Sequence, residues 1–322
     1  MTRTNVGILR GGTSNEYNLS LKTGAAMMAA LPEAQYEVRD ILIDRNGMWY
    51  SRGLPADPVR ALAQVDVVLN ALHGGVGEDG TVQRILERLA LPYAGARPLP
   101  ASFSLNKFQA CELARQAGLS VPQGTMFMAS YPLTSTEMAK AVFSRFGPPY
   151  VVKPVREGAS YGVRYIPTIV GLGDAIADAL ELYGSALVEE YIKGHDVSMG
   201  VIEDFRGEDL YALPPVHVIA PQGHMCITSE LHERGSAKHL VPSSFSDSEK
   251  SALAGAARAA HRALGLSHFS RSDFRLTPRG PVFLEVNAIP GLYPGAPFPR
   301  ALDFVGASQR EFLEHAINLA RG

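Results

Sequence analysis

The chain has 322 residues, 46% of them hydrophobic and 19% charged, which is enough apolar material for two or three packed cores and excludes an intrinsically disordered chain. With 30 basic and 32 acidic side chains the net charge is −2, and no block of like sign stands out, so the electrostatic footprint of a nucleic-acid binder is missing. No apolar run approaches the ~20 residues that cross a bilayer, and the opening TNVGILRGG reads as strand and turn rather than export signal, so a soluble, cytoplasmic protein without a membrane partner is expected.

In chain order, Val6–Leu9 is a short apolar strand that stops at Gly11-Gly12, followed by a helix pattern from about Ser20 to Leu31. Val38–Ile43 reads as a second strand, and Asp44-Arg45-Asn46-Gly47 supplies a hairpin turn. Val65–Leu72 is almost wholly apolar, as a strand covered on both faces should be, and a helix pattern runs from Asp79 to about Ala90. This alternation predicts an open parallel sheet with ligands at the carboxyl ends of its strands. From about Ala101 the pattern changes: one helix over Ser104–Ala117, another near Thr134–Phe146, and a strand at Tyr150–Lys153 leading into a glycine-bounded loop, Arg156–Gly162. Longer strands follow at Ala186–Tyr191, Val197–Glu203 and Leu210–Ile219. Ser229–Pro242 is polar and aperiodic, a long surface loop of the kind that serves as a lid, before a helix at Asp247–Leu264, two strands and a closing helix. Cys111 and Cys226 match no metal-ligand spacing and read as buried thiols.

Four segments carry chemistry. Gly11-Gly12-Thr13-Ser14-Asn15-Glu16 sits between strand and helix, where glycines let backbone N–H groups approach an anion; a plain tight turn is an equal reading, and Glu16 is suited either to cap the helix or to bind an ammonium group. His73, in Leu72-His73-Gly74-Gly75-Val76-Gly77-Glu78-Asp79-Gly80, lies at the carboxyl end of a buried strand, which favours a functional histidine; Glu78 and Asp79 read as the negative start of the next helix. Lys153 closes a strand just before the Arg156–Gly162 loop, an arrangement that suits a phosphate clamp without matching P-loop spacing; a surface loop with a stray lysine is an equal reading. Arg271-Ser272-Asp273-Phe274 ends one strand pattern, and Phe283-Leu284-Glu285-Val286-Asn287 lies in the next. Paired antiparallel, Asp273, Glu285 and Asn287 share one face, three oxygen ligands suited to magnesium bound with phosphates.

Taken in order, GGTSNEYNLSLKTG, ALHGGVGEDG, YVVKPVREGASYG, ALVEEYIKGHDV and FLEVNAIPG resemble the D-alanine–D-alanine ligase family of ATP-grasp enzymes, from Gly11 to Gly291. The resemblance implies an α/β chain with the ATP-grasp fold: an N-terminal open parallel-sheet domain (1–100) and two α+β subdomains (101–187 and 188–322) that clamp ATP. It implies phosphate-holding lysines at Lys107 and Lys153, an adenine segment at Glu189, Glu190, Tyr191 and Ile192, and a ribose acid at Asp196. It assigns magnesium, or manganese, to Asp273, Glu285 and Asn287, oxyanion support to Arg271 and the backbone of Gly291, the ammonium of the first substrate to Glu16, and its carboxylate to the neighbourhood of His73. A homodimer and small amino-acid substrates are implied as well. The reaction implied is formation of D-alanyl-D-alanine, or a close D-alanyl-D-X product, through an acyl phosphate.

The second-substrate side departs from that pattern. The usual Glu-Ala-Lys-Tyr stretch reads Ser229-Glu230-Leu231-His232-Glu233-Arg234-Gly235-Ser236, resembling the D-alanine–D-lactate ligases at Glu233–Ser236. A family serine is Ala159, with Ser160 beside it, and a downstream serine is Ala296. His232, Lys238 and His239 are the candidates to replace the missing cation. D-lactate, D-serine or another amino acid as acceptor is therefore the alternative reading, and a nucleotide-binding protein without ligation the more remote one.

Overall fold

The computed structural model describes residues 3–222, 225 and 236–322. Its first unit follows the strand–helix alternation: β1 (Thr4–Gly11), α1 (Tyr17–Ala30), β2 (Tyr36–Ile43), β3 (Trp49–Ser51), β4 (Leu54–Ala56), α2 (Pro58–Ala61), β5 (Val67–Asn70), α3 (Thr81–Arg88) and β6 (Tyr93–Ala94). The sheet order is β4-β3-β2-β1-β5-β6, with β2, β1, β5 and β6 parallel and the expected hairpin joining β2 to β3. Because the chain leaves β1 for β2 on one side and later returns to β5 on the other, the switch point lies between the carboxyl ends of β1 and β5. Gly11–Glu16 and His73–Gly80 emerge there side by side, and the Ser14 hydroxyl donates to the His73 carbonyl.

The predicted helix over 104–117 is two helices, α4 (Pro98–Leu105) and α5 (Lys107–Gln116). Asn106 breaks them because its extended backbone (ψ 96°) stops the first while its side chain accepts from Gln109 N (3.1 Å) and caps the second. Next come β7 (Gly124–Met128), α6 (Ser135–Phe143), β8 (Tyr150–Lys153), β9 (Arg164–Ile166), α7 (Leu172–Tyr183) and β10 (Ser185–Glu190). They form an antiparallel sheet, β7-β10-β8-β9, whose core (Phe127, Val142, Tyr150, Ile176 and Val188 among others) is drawn entirely from within this unit.

The remainder holds β11 (His195–Phe205), β12 (Glu208–Ala212), β13 (Val216–Ile219), β14 (Lys238–Leu240), α8 (Asp247–Ala263), β15 (Phe269–Thr277), β16 (Gly280–Asn287), α9 (Pro297–Phe304) and α10 (Gln309–Arg321). Leu210–Ile219 is two strands, not one, since Pro214-Pro215 cannot donate to a ladder. Residues 238–240, read as loop, are a strand paired to β13. Arg271–Phe274 lies inside β15 rather than at its end. Cys226 and the stretch Ser229–Gly235, with His232, lie outside the described residues. The third sheet is antiparallel, ordered β14-β13-β11-β15-β16 with β12 on β11. α8 and the paired helices α4 and α5 cover one of its faces, so Ala101, Ala110, Cys111 and Ala114 share a core with Val197, Leu253 and Phe283. Burial pushes the Cys111 thiol up to about 12. Among the described residues no helix is long and apolar enough to cross a membrane.

The first and third sheets share a second core. Ile8, Val67 and Leu69 meet Ile202, Phe269, Phe298 and Phe312, with Phe312 edge-on to Phe269 and Phe298 at 5.2 and 5.1 Å. Phe312→Ala should therefore lower stability by roughly 3–5 kcal/mol, measured as a reduced urea midpoint; a loss below ~1 kcal/mol would show that this seam does not hold the two units together.

Candidate active site

Cross-strand register builds one wall of a cleft of about 1230 Å3, open mouth included, between the second and third sheets. On β15, Arg271, Asp273 and Arg275 share the face opposite Gly200, Ser198 and Asp196 of β11. Ser198 Oγ donates to Asp273 Oδ1 (2.7 Å), Arg271 Nη2 lies 2.9 Å from Asp273 Oδ2, and Arg275 Nε lies 2.8 Å from Asp196 Oδ1. The predicted pairing of β15 with β16 is present: Asp273 opposes Glu285, Arg271 opposes Asn287, and Asn287 Nδ2 reaches Asp273 Oδ2 at 3.4 Å.

The lysines complete the charge pattern. Lys107, at the start of α5, is buried with its Nζ 3.2 Å from Glu285 Oε2 and donating to the Glu157 carbonyl. Lys153, at the end of β8, lies 2.8 Å from Glu189 Oε2. Burial opposes its charge, but Glu189 and Glu285 more than reverse this and raise its pKa. Burial also opposes ionisation at Glu285, yet Lys107, Lys153 and Arg271 overcome it and bring the carboxyl down to about 2. Asp273 moves up through burial, partly countered by Arg271. Burial likewise lifts Asp196 to about 6 against the pull of Arg275. Lys107, Lys153, Ser160, Glu189, Glu190, Tyr191, Ile192, Asp196, Arg271, Asp273 and Glu285 all line the cleft.

Asp273, Glu285 and Asn287 fit a hard divalent cation. Among the described residues no three His, Cys, Asp or Glu side chains gather as a closed metal site. Two opposed carboxylates and one amide suit an ion that takes its remaining oxygens from phosphates and water, as magnesium does.

Glu16, His73 and Gly291 lie beyond the cleft lining, at the first sheet's switch point and the turn after β16. Glu16 precedes α1 but its side chain makes no cap hydrogen bond, which removes the capping reading. Its carboxylate is buried against the Arg156–Gly162 loop: a Cβ on Gly158 would stand 2.2 Å from Glu16 Oε1. Burial first, and the nearby Glu78 charge second, push Glu16 up to about 8, with Lys107 pulling the other way. Glu78 does not begin α3; it is buried, accepts from Gly74 N (2.7 Å) and is raised mainly by burial. His73 Nε2 sits 2.8 Å from Thr23 Oγ1, which also accepts from Leu292 N (3.4 Å), so the histidine loop and the turn at Gly291 meet through Thr23. A Cβ on Gly291 would stand 2.7 Å from the Tyr293 ring, so a side chain there would have to displace that ring.

Family models, curated relatives and solved structures all match the chain. Residues 53–96 match the family model described as D-ala D-ala ligase N-terminus, and residues 113–318 the model described as D-ala D-ala ligase C-terminus. The chain belongs to the D-alanine–D-alanine ligase family. It is 34% identical to the D-alanine–D-alanine ligase of Sinorhizobium fredii over 98% of both chains. Among solved structures it is similar to the VanG D-Ala:D-Ser ligase of Enterococcus faecalis, with a TM-score of 0.85 at 27% identity over 99% of this chain and 100% of that one. It is also similar to the Bacillus anthracis D-alanine–D-alanine ligase complexed with ATP, with a TM-score of 0.82 at 25% identity over 98% of this chain and 97% of the other. The ATP-grasp fold expected from the sequence is the fold of this ligase family.

Sequence reasoning missed Ser198, Arg275, Thr23 and Glu157. The last receives Asn15 Nδ2 on its carboxylate at 3.1 Å while its carbonyl takes Lys107. A serine and an aspartate alternating inward along an otherwise apolar strand were the available signal for Ser198. Of the three candidate replacement cations, His239 lines the cleft, Lys238 does not, and His232 lies outside the described residues.

Two outcomes follow from the Glu16 contacts. Gly158 has an ordinary φ, so Gly158→Ala tests the clash alone. It should cut kcat/KM roughly a hundredfold, the cost of an ångström-scale misplacement, with little change in melting temperature; unimpaired turnover would show that the loop does not seat on Glu16. Since the folded state holds the Glu16 proton up to about pH 8 and the unfolded chain releases it near 4.5, stability due to this group falls as pH rises between those values. The melting-temperature advantage of Glu16→Gln should accordingly grow from pH 5 to pH 8 and then level off, whereas a flat difference would contradict the burial argument.

Proposed function

We propose that the chain is an ATP-dependent carboxylate–amine ligase that forms D-alanyl-D-alanine, or a close D-alanyl-D-X product, through an acyl phosphate, releasing ADP and phosphate. The observation that carries this reading is the seam at Lys107. Its ammonium joins Glu285 in the cleft to the Glu157 carbonyl, and Glu157 in turn meets Asn15, next to Glu16. A phosphate-binding cleft and a buried carboxylate suited to an ammonium group thereby form one continuous site.

In this reading Glu189, Glu190, Tyr191 and Ile192 hold adenine, Asp196 the ribose, and Lys107 and Lys153 the phosphates. Glu16 receives the ammonium of the first D-alanine, and its substrate carboxylate lies by His73, pointing toward the phosphates. Asp273, Glu285 and Asn287 would hold magnesium, or manganese, which when bound supplies positive charge against the phosphate oxygens. Arg271, whose buried Nε has no hydrogen-bond partner, and the Gly291 N–H stabilise the oxyanion that develops as the second nucleophile attacks. The Ser160 loop covers the intermediate and keeps water from it. Arrival of an ammonium favours the ionised Glu16, so first-substrate binding below about pH 8 releases a proton.

The acceptor end favours keeping a second reading. Ala159 and Ala296 offer no hydroxyl, and His239 faces the cleft instead of a lysine. D-lactate or D-serine is the alternative acceptor. The working division into units 1–100, 101–187 and 188–322, a homodimer and a cytoplasmic location belong to the same proposal.

The test is phosphate release by the purified chain with ATP and magnesium, using D-alanine alone and D-alanine with D-lactate, D-serine or L-amino acids, with products weighed by mass spectrometry. Dipeptide from D-alanine alone is expected. Turnover only with another acceptor selects the alternative, and ATP binding without turnover anywhere would sink the ligase reading.

A further inference from the structure

Arg275 is absent from every role described so far, yet one buried side chain rarely spans so many parts of a site. Its Nε lies 2.8 Å from Asp196 Oδ1, its Nη1 donates to the Gly194 carbonyl at 3.1 Å, and its Nη2 donates to the Met225 carbonyl at 3.3 Å. Its guanidinium carbon stands 5.3 Å from the centre of the Tyr191 ring, a cation–π distance, and the Tyr191 hydroxyl donates to the same Met225 carbonyl at 3.3 Å. The side chain is 11% exposed and lines the cleft.

The register explains why arginine stands there. Arg275 opposes Asp196 directly across β15 and β11, so the pair forms as soon as the strands align. A planar guanidinium presents donors in several directions at fixed angles, which a lysine ammonium does not reproduce. Here the fork ties an acidic side chain, the turn after β10 and the Met225 carbonyl together at one end of the cleft. Asp196 Oδ1 is taken by Arg275, and that contact fixes the direction in which the other carboxylate oxygen looks.

We infer that Arg275 is a positioning residue for nucleotide recognition: it aims Asp196 at the ribose hydroxyls and steadies the Tyr191 ring beside it at that end of the cleft. The inference rests on the reading of Asp196 as the ribose-binding acid. It assigns the selection of ribose over deoxyribose to the pair and not to Asp196 alone. A bare carboxylate free to rotate would lose much of that selection even with its charge intact.

The experiment compares equilibrium binding of ATP, 2′-deoxy-ATP and 3′-deoxy-ATP to the full chain and to Arg275→Ala, Arg275→Lys and Asp196→Ala. Wild type should prefer ATP over at least one deoxy form by about tenfold or more, the worth of one hydrogen bond to a charged acceptor. Arg275→Ala should lose most of that preference, Arg275→Lys should recover part of it, and in turnover Arg275→Ala should raise the KM for ATP more than it lowers kcat. Because the preference is a ratio measured on one preparation, partial loss of folded protein leaves it unchanged. A wild-type ratio in Arg275→Ala together with a lost ratio in Asp196→Ala overturns the positioning role and leaves the ribose assignment standing. A wild-type ratio in Asp196→Ala overturns the ribose assignment itself, and the positioning role with it.

Discussion

Burying charge is tolerable only when it is paired, and this site is organised by that constraint. Four cations in the cleft each have a carboxylate partner: Lys107 with Glu285, Lys153 with Glu189, Arg271 with Asp273, and Arg275 with Asp196. The pairs draw their members from the second and third sheets and from α5, so the site exists only when those parts are assembled. The balance also shapes what can enter. A polyphosphate arriving alone would bring negative charge to described cations that already have carboxylate partners, and one arriving with a divalent ion would bring far less.

The two ends of the site are built on different principles. The cleft end is a wall of antiparallel strands whose period-two alternation turns every second residue inward, so that register alone sets Asp196, Ser198, Arg271, Asp273 and Arg275 in facing rows. The other end is made of loops at a parallel-sheet switch point, where close approach replaces periodicity. Gly158 against Glu16, and Thr23 between His73 and Leu292, are contacts of backbone and small groups across long sequence separations.

That difference explains what could be read from the sequence. The shared face of Asp273, Glu285 and Asn287 was legible because they lie on neighbouring strands with a short connection, where alternation determines the facing side. Ser198 and Arg275 were not, because their roles depend on how β11 pairs with β15, some eighty residues further on. The break at Asn106 was hidden by an apolar pattern continuous through both helices, although an asparagine before Lys-Phe-Gln is a fair capping signal. Nothing in Ala159-Ser160 announces that both adopt left-handed backbone (φ 43° and 60°), since neither residue favours it. The switch-point glycines were visible, but which groups press against them was not.

The second sheet keeps its apolar core to itself, with every buried member between Phe127 and Val188. Its links to the first unit near the switch point are polar: Asn15 Nδ2 to the Glu157 carboxylate, and the Gly158 backbone against the Glu16 carboxylate. Separating the two therefore uncovers little oily surface and mostly exchanges protein hydrogen bonds for water, a trade of modest net cost. Parting the two would leave the core of the second sheet intact, and a contact held by polar and charged groups weakens as ionic strength rises.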